Sequence, residues 1–487
     1  MIEHVKSYLR KNYLAAFFIL GFFIIIAWKM TAHPTPFYDW DESIYAQVGR
    51  EMITAKSLIP LWQGTIWLDK PPLVPLVYGI VLKAFFFMPP EISTRLFTLL
   101  LSSIALFLIY HLYFKVTNNR IVSTLAIILT ALNPIFLQRA QVLNIDIFVL
   151  IAWLGYLIAF PNFWLSFFFL FIGVMSKSLI GFYPLALWLI YAVFEYLTKK
   201  ITKRLFIKYL RIAALQIGIL AVYFIVMFIL FGHNFWQNQI IEAHFRRVTA
   251  SIESHFGKRT YYLDLIFEQF GVYAYAAFFS IIFLVIQFVR KKVSALTLFL
   301  SLSLIPWFIF LNLTKTKIFW YIYPVIPQFT FLIVFPVTLL RKFKRLFFIA
   351  VVLILIFIFK DSVLNHDYLS QNYSKNEDYL SLANYAKSKC NNLHVLVGPE
   401  TRQTFSTLEK MNLLISTSRW WGNHPSMVYY FEKKVIFEYD KTALATGLQK
   451  FKPGECLSLE KNDLNLSPSQ QLKFITSFNN YFLYEKL

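Results

Sequence analysis

Apolar residues in this chain come in unbroken runs rather than in alternating or one-face patterns, and many of the runs approach the thickness of a bilayer. They occupy residues 14–30, 96–115, 121–138, 145–160, 163–175, 179–197, 210–231, 265–289, 295–313, 321–340 and 346–360. The pattern predicts about eleven membrane-crossing helices, since roughly 20 apolar residues fill the hydrocarbon core. The first run follows Lys6, Arg10 and Lys11, lacks a small-residue cleavage pattern after it, and ends at Trp28 and Lys29. It therefore reads as a retained span with an interfacial anchor.

Basic clusters orient the bundle. Residues 199–204, Arg290-Lys291-Lys292 and 341–345 form short basic loops, which the positive-inside rule places in the cytoplasm together with the N-terminus. The three agree only if the apolar stretch 73–88 does not cross. That stretch is short, contains Pro75 and Lys83, and lies between two Pro-Pro pairs, so it predicts a helix lying along or dipping into the outer face. The loop 31–95 is then wholly external. Segments 139–146, 176–178, 233–264 and 314–317 fall on the same side.

Beyond residue 360 the chain turns polar. An Asn/Lys-rich lead-in precedes a helical stretch at 377–388 and strand-like stretches at 393–397 and 435–439. The expected organisation is a transmembrane domain over 1–360 and a small extracytoplasmic α/β domain over 361–487. Cys390 and Cys456 are the only cysteines. A disulfide and two buried thiols would leave the same trace in the sequence.

Composition confirms the class, with 58% hydrophobic and 15% charged residues in a chain of 487. The net charge of +21 does not point to nucleic acid, because most basic residues flank apolar runs, where cytoplasmic anchoring and anionic lipid headgroups account for them. There is no internal repeat, Gly-rich phosphate loop or Cys/His metal spacing, so neither nucleotide chemistry nor a metal site is indicated.

Against this basic background stands an acidic knot, Tyr38-Asp39-Trp40-Asp41-Glu42, just past the first span. Charge beside hydrocarbon is costly and usually serves binding or proton transfer. Asp41 and Glu42 point about 100° apart on a helix, so one acts on a ligand and the other supports it; the alternative is that they only favour a helix start. Asp69-Lys70-Pro71-Pro72 follows. Its prolines fix the direction in which Lys70 projects, which suits contact with a phosphate. The 233–264 segment gathers His244, Arg246, Arg247 and Tyr262, a mixture suited to an anionic sugar ligand. Lys177, Lys315 and Lys317 complete a cationic collar.

Asp41-Glu42 with Tyr45 and Arg50-Glu51-Met52, then Asp69-Lys70-Pro71-Pro72-Leu73, Asp146, Ser176-Lys177, residues 244–262, and Lys317 with Tyr321-Ile322-Tyr323-Pro324 occur in the order seen in the C-type (GT-C) glycosyltransferases. The chain resembles their aminoarabinose transferase and bacterial protein mannosyltransferase-like group over roughly residues 39–327. The resemblance implies an enzyme of a bacterial inner membrane that moves a sugar from a polyprenyl-phosphate donor to a lipid or glycan acceptor, lipid A-like, on the extracytoplasmic face. It also implies juxtamembrane helices in the first external loop. Carried over to this sequence, Asp41, Glu42 and Asp146 are the catalytic acids. Lys70 and Arg246 or Arg247 hold the donor phosphate, Tyr321 lines the lipid-phosphate pocket, and Tyr45, Asp69, Lys177, His244, Tyr262 and Lys317 bind substrate.

The chain departs from that pattern in places. Ile44 stands where the aminoarabinose transferases commonly carry a basic residue, Ser178 replaces the usual glycine after the lysine, and Lys70 stands where protein mannosyltransferases often have histidine. The first leaves the sugar open, and the last argues against a protein acceptor. The expected chemistry is direct displacement at the anomeric carbon, with cations neutralising the departing polyprenyl phosphate and Asp41 orienting or deprotonating the acceptor. No cofactor is required, a divalent ion at Asp41 and Asp146 being the alternative. A monomer among membrane lipids is expected. The competing readings are a protein O-mannosyltransferase-like enzyme, a lipid-linked sugar flippase and a structural membrane subunit. Polar residues gathered at one face rather than the midplane, without paired broken-helix repeats, argue against the flippase.

Overall fold

The structure is a computed structural model describing residues 12–32, 34–358, 377–463 and 472–487. Lys6, Arg10 and Lys11, the last two residues of the 346–360 run and the Asn/Lys-rich stretch 361–376 lie outside the described residues. The chain divides into two units. The larger comprises Met1–Ala32, Arg95–Thr249 and Phe256–Gln371, and the smaller His33–Thr94, Ala250–His255 and Asn372–Leu487.

The larger unit is helical. Among the described residues six helices are long and apolar enough to cross a membrane, Tyr13–Ala32, Pro90–Thr117, Phe163–Leu197, Lys203–Thr249, Tyr261–Val289 and Phe319–Leu340. A seventh is obtained if the bent pair Ala295–Leu302 and Ile305–Leu313 counts as one span. The chain is thus a multi-pass membrane protein.

Local chemistry sets the breaks. The expected span 121–138 is two helices, Arg120–Ala131 and Pro134–Arg139, because the Asn133 side chain caps Ile135 and Phe136 N–H groups and Pro134 starts a new helix. The run 295–313 bends by 43° just before Pro306, where a helix loses a backbone bond. Residues 163–197 form one run through a 3-10 turn at Ser178–Phe182. The expected loop 233–264 is helical in its first half. Gly232, at φ 52°, redirects the chain into a π-helix, Trp236–Arg246, followed by Arg247–Thr249.

In the smaller unit the acidic knot leads into the helix Asp41–Thr54, and a hairpin of β1 (Leu61–Trp62) and β2 (Thr65–Ile66) connects it to the helix Leu73–Ala84. At 12 residues this second helix is about 18 Å long and is not among the helices long and apolar enough to cross. The two helices meet in backbone contact. A Cβ on Gly49 would lie 2.8 Å from Gly79 N, and one on Gly79 2.7 Å from Gly49 C.

The rest of this unit has helices, among them Asp378–Lys389 and Pro399–Lys410, and a five-stranded sheet of β3 (Asn392–Leu396), β4 (Lys434–Glu438), β5 (Cys456–Glu460), β6 (Leu472–Phe478) and β7 (Tyr481–Lys486) in the order β4-β3-β5-β7-β6. β3 pairs in parallel with β4 and β5, and β7 pairs antiparallel with β5 and with β6. Leu396, Leu444, Leu457 and Leu459 form its core. Cys390 and Cys456 are joined in a disulfide across 66 residues, which resolves the ambiguity left by the sequence.

Candidate functional site

In the larger unit, Asp146 opens the helix Asp146–Ala159 and is 1% exposed. Lys177 Nζ lies 2.7 Å from its Oδ1 and Arg139 Nη2 3.3 Å from its Oδ2. A buried carboxylate needs such partners, and the helix N-terminus adds favourable potential. Both cations also face aromatic rings, Lys177 over Tyr321 at 4.7 Å and Arg139 over Trp320 at 5.2 Å. Asp146, Lys177 and Tyr321, scattered over the sequence, are therefore one cluster.

A second group adjoins it along the chain. The Thr316 N–H donates to Arg247 O and the Lys315 N–H to Val248 O, both at 3.1 Å, which ties the end of the helical segment bearing His244 and Arg246 to the turn bearing Lys317. Arg246 Nη1 lies 3.5 Å from Glu242 Oε1 one turn earlier in the π-helix. Such helices are uncommon and recur at functional sites. Lys317 is buried, its ammonium donating to Leu311 O at 2.9 Å and Asn312 O at 3.0 Å, and burial pushes its pKa down. It sits over the Tyr262 ring at 5.2 Å, and the Tyr262 hydroxyl donates to Ile318 O and accepts from Ile318 N–H. The same unit thus holds the cations Arg139 and Lys177 on Asp146, Arg246 on Glu242, and Lys317 at the next turn.

In the smaller unit, Asp41 is half-buried at the first position of its helix, preceded by Trp40 at φ 68°. Glu42 is 3% exposed and its Oε2 accepts the Tyr38 N–H at 2.8 Å. The adjacent acids therefore have different surroundings. Tyr45 is buried beside Trp67, ring centroids 6.3 Å apart. Asp69 Oδ2 accepts from the Thr417 hydroxyl at 2.7 Å, and half-buried Lys70 donates to Asp69 O at 3.2 Å.

Asp39, Arg139 and Trp320 carry no individual role in the sequence pattern. Asp39 is a tether: His424 Nδ1 lies 2.8 Å from its Oδ2, and the Ser426 N–H donates to its Oδ1 at 3.0 Å. Arg139, seven residues before Asp146, was visible only as part of a polar segment, and Trp320 only as the neighbour of Tyr321. Among the described residues no group of three or more His, Cys, Asp or Glu side chains is arranged to hold a metal ion.

The fold, a helical membrane unit and a small sheet-bearing unit, is similar to that of solved C-type glycosyltransferases, in line with the resemblance carried by the motifs. The chain is similar over its whole length to crystal structures of ArnT, an aminoarabinose transferase, from Cupriavidus metallidurans. With the apo form it shares 12% identity, 99% of this chain matching 98% of that one, at a TM-score of 0.68. With the form bound to undecaprenyl phosphate it shares 14% identity, over 98% of each chain, at 0.65. The archaeal oligosaccharyltransferase AglB from Archaeoglobus fulgidus, in complex with an inhibitory peptide and a dolichol-phosphate, matches at 11% identity over 84% of this chain and 61% of that one, TM-score 0.51. At these identities the likeness is one of fold. No protein-family profile and no curated protein matches the chain in sequence.

Proposed function

We propose that the chain is a glycosyltransferase of the extracytoplasmic face of a bacterial inner membrane, moving a sugar from a polyprenyl-phosphate donor to a lipid or glycan acceptor of lipid A type. The observation that carries this reading is the full-length fold likeness to ArnT, including its form bound to undecaprenyl phosphate. The basic side chains of Arg139, Lys177 and Arg246 are of the type that binds phosphate and support it.

In this reading an acceptor hydroxyl attacks the anomeric carbon. Its proton passes to Asp41, and the bond to the carrier oxygen breaks with its electron pair on the polyprenyl phosphate. Lys70 and Arg246 or Arg247 neutralise the departing phosphate, with Lys177 and Tyr321 lining its lipid-phosphate pocket. Glu42 supports Asp41, Asp146 is the second acid, and Tyr45, Asp69, His244, Tyr262 and Lys317 shape the substrate contacts. The protein acts as a monomer with about eleven spans, its N-terminus cytoplasmic, and with loop 31–95 and domain 361–487 outside.

Purified protein in proteoliposomes, supplied with polyprenyl-phosphate sugars and lipid acceptors, should form glycosylated product detectable by mass spectrometry. Asp41→Asn should lower the rate about 10²- to 10⁴-fold, the usual contribution of a general base. An unimpaired Asp41→Asn removes that residue from the mechanism. Wild-type protein that moves the donor across the bilayer without product would favour a flippase.

A further inference from the structure

Two turns of the larger unit are built alike. The helices Tyr183–Leu197 and Ala274–Val289 are each followed within two residues by a pair of lysines, Lys199-Lys200 and Lys291-Lys292, and then by a β-branched residue, Ile201 or Val293. A hydroxyl residue comes next and caps the following helix, Thr202 at the Leu205 N–H and Ser294 at the Thr297 N–H. The backbone bonds coincide as well. Lys199 N–H donates to Tyr196 O and Lys200 N–H to Glu195 O, as Lys291 N–H does to Phe288 O and Lys292 N–H to Gln287 O. This is the Schellman ending of a helix, whose left-handed position is usually glycine. Here it is lysine both times, Lys199 at φ 57° and Lys291 at φ 56°. Each turn thus holds a cation in a conformation that residues with a Cβ seldom adopt.

The two turns are neighbours. Lys200 Nζ of the first lies 5.5 Å from the ring centre of Phe288 beside the second, and the Phe194 and Phe288 rings are 6.1 Å apart. Their charge has one sign. Residues 196–208 and 288–294 contain no Asp or Glu, and Glu195, just before the first turn, is buried with Lys200 Nζ at 3.5 Å. Lys199, Lys203, Arg204, Arg290, Lys291 and Lys292 are exposed and make no ion pair or side-chain hydrogen bond among the described residues. Like charges gathered in this way repel unless an anion offsets them. The last residue of each helix is apolar and bare, Leu197 being 72% and Val289 73% exposed.

We infer that the two turns together clasp one anionic lipid carrying two phosphates, of the diphosphatidylglycerol kind. One phosphate is held by Lys199 and Lys200 and the other by Lys291 and Lys292, with the acyl chains running along Leu197 and Val289. The twin turns call for two phosphates on one headgroup, and the bare apolar helix ends call for a lipid rather than a soluble anion. Basic pockets between membrane helices take headgroups of this type. Flanking charge alone accounts for lysines at helix ends, but not for two turns of one backbone design set side by side. Such a site stands apart from any sugar transfer.

Purified full-length protein in detergent, offered diphosphatidylglycerol, phosphatidylglycerol or inorganic pyrophosphate, would be examined by native mass spectrometry for what it retains. One diphosphatidylglycerol per chain should be held, ahead of the other two. The Lys199→Gly Lys291→Gly double variant removes two cations without endangering the fold, because glycine fits the left-handed position better than lysine. It should melt no lower than wild type yet bind the lipid about 30-fold more weakly, the loss expected of two cations beside anionic lipid. Lys450→Gln Lys473→Gln, which takes the same charge from exposed positions of the smaller unit, should bind as wild type does. Unchanged retention by the glycine variant, or an equal loss in the charge control, would overturn the inference. So would phosphatidylglycerol or pyrophosphate held as tightly as diphosphatidylglycerol.

Discussion

Lys177 Nζ lies 2.7 Å from Asp146 Oδ1, and the same buried carboxylate is approached by Arg139 at 3.3 Å. Removing one member of such a group leaves buried charge uncompensated, at a cost of about 3–5 kcal/mol. Asp146→Asn keeps the shape and removes the charge, so it should lower the melting temperature of the detergent-purified protein, read by intrinsic tryptophan fluorescence. Melting unchanged from wild type would show that the ion pairs contribute no net stability.

Gly49 and Gly79 make a second prediction. A methyl group at either position must push apart two helix backbones, which lack the adaptability of a side-chain end. Gly79→Ala should destabilise the protein by about 1–3 kcal/mol, the usual range for overpacking. Gly21→Ala, where an added Cβ meets nothing within 4 Å, is the matched control. Equal stability of the two variants would mean that the crossing relaxes freely.

The Cys390–Cys456 disulfide closes a loop with a sequence separation of 66. On the chain-entropy estimate a loop of this size is worth about 4 kcal/mol. The Cys390→Ser Cys456→Ser double variant should become sensitive to limited proteolysis between β3 and β5 while the wild type resists. Equal protease resistance would place the stability of this segment in its apolar core.

Sidedness can be read with impermeant thiol reagents on intact cells. Asn118, exposed at φ 48° between two helices, belongs to a loop assigned to the cytoplasm, and Leu58, 74% exposed, to the external loop. A cysteine at Leu58 should label from outside and one at Asn118 only after lysis. Labelling of Asn118 in intact cells would invert the arrangement.

These residues also show what a sequence can reveal. The helix 377–388 and the strands 393–397 and 435–439 were legible to within one residue of Asp378–Lys389, β3 and β4, because short apolar β-branched runs stand out against a polar background. Apolar runs in the membrane region were equally plain, but their ends and breaks were not. A 3-10 turn at Ser178 or a π-helix after Gly232 depends on packing that hydropathy does not encode. Motif order could name Asp146, Lys177 and Tyr321, yet not that the lysine joins the other two. Arg139 escaped notice because a buried arginine and an interfacial one look alike in one dimension.

The sheet-bearing unit carries its own acid sensitivity. Asp463 is 2% exposed and receives a two-pronged bond from Arg402, Nη1 to Oδ2 and Nη2 to Oδ1, each 2.9 Å, with Lys441 Nζ 3.4 Å from Oδ1. Burial alone would raise this carboxyl, but the Arg402 hydrogen bonds and charge, with Lys441, outweigh it and hold the pKa below its ordinary value. The sign follows from linkage. A carboxyl depressed in the folded state stabilises the fold above its unfolded pKa, about 4, and that stabilisation fades as pH falls through the folded value. Wild-type protein should therefore lose stability more steeply below about pH 4 than Asp463→Asn, which is less stable at neutral pH but has no Asp463 carboxyl left to protonate. Urea unfolding of both proteins across this acidic range, followed by tryptophan fluorescence, is the measurement. Parallel pH curves would show that the Arg402 pair does not set the acid limit of this unit.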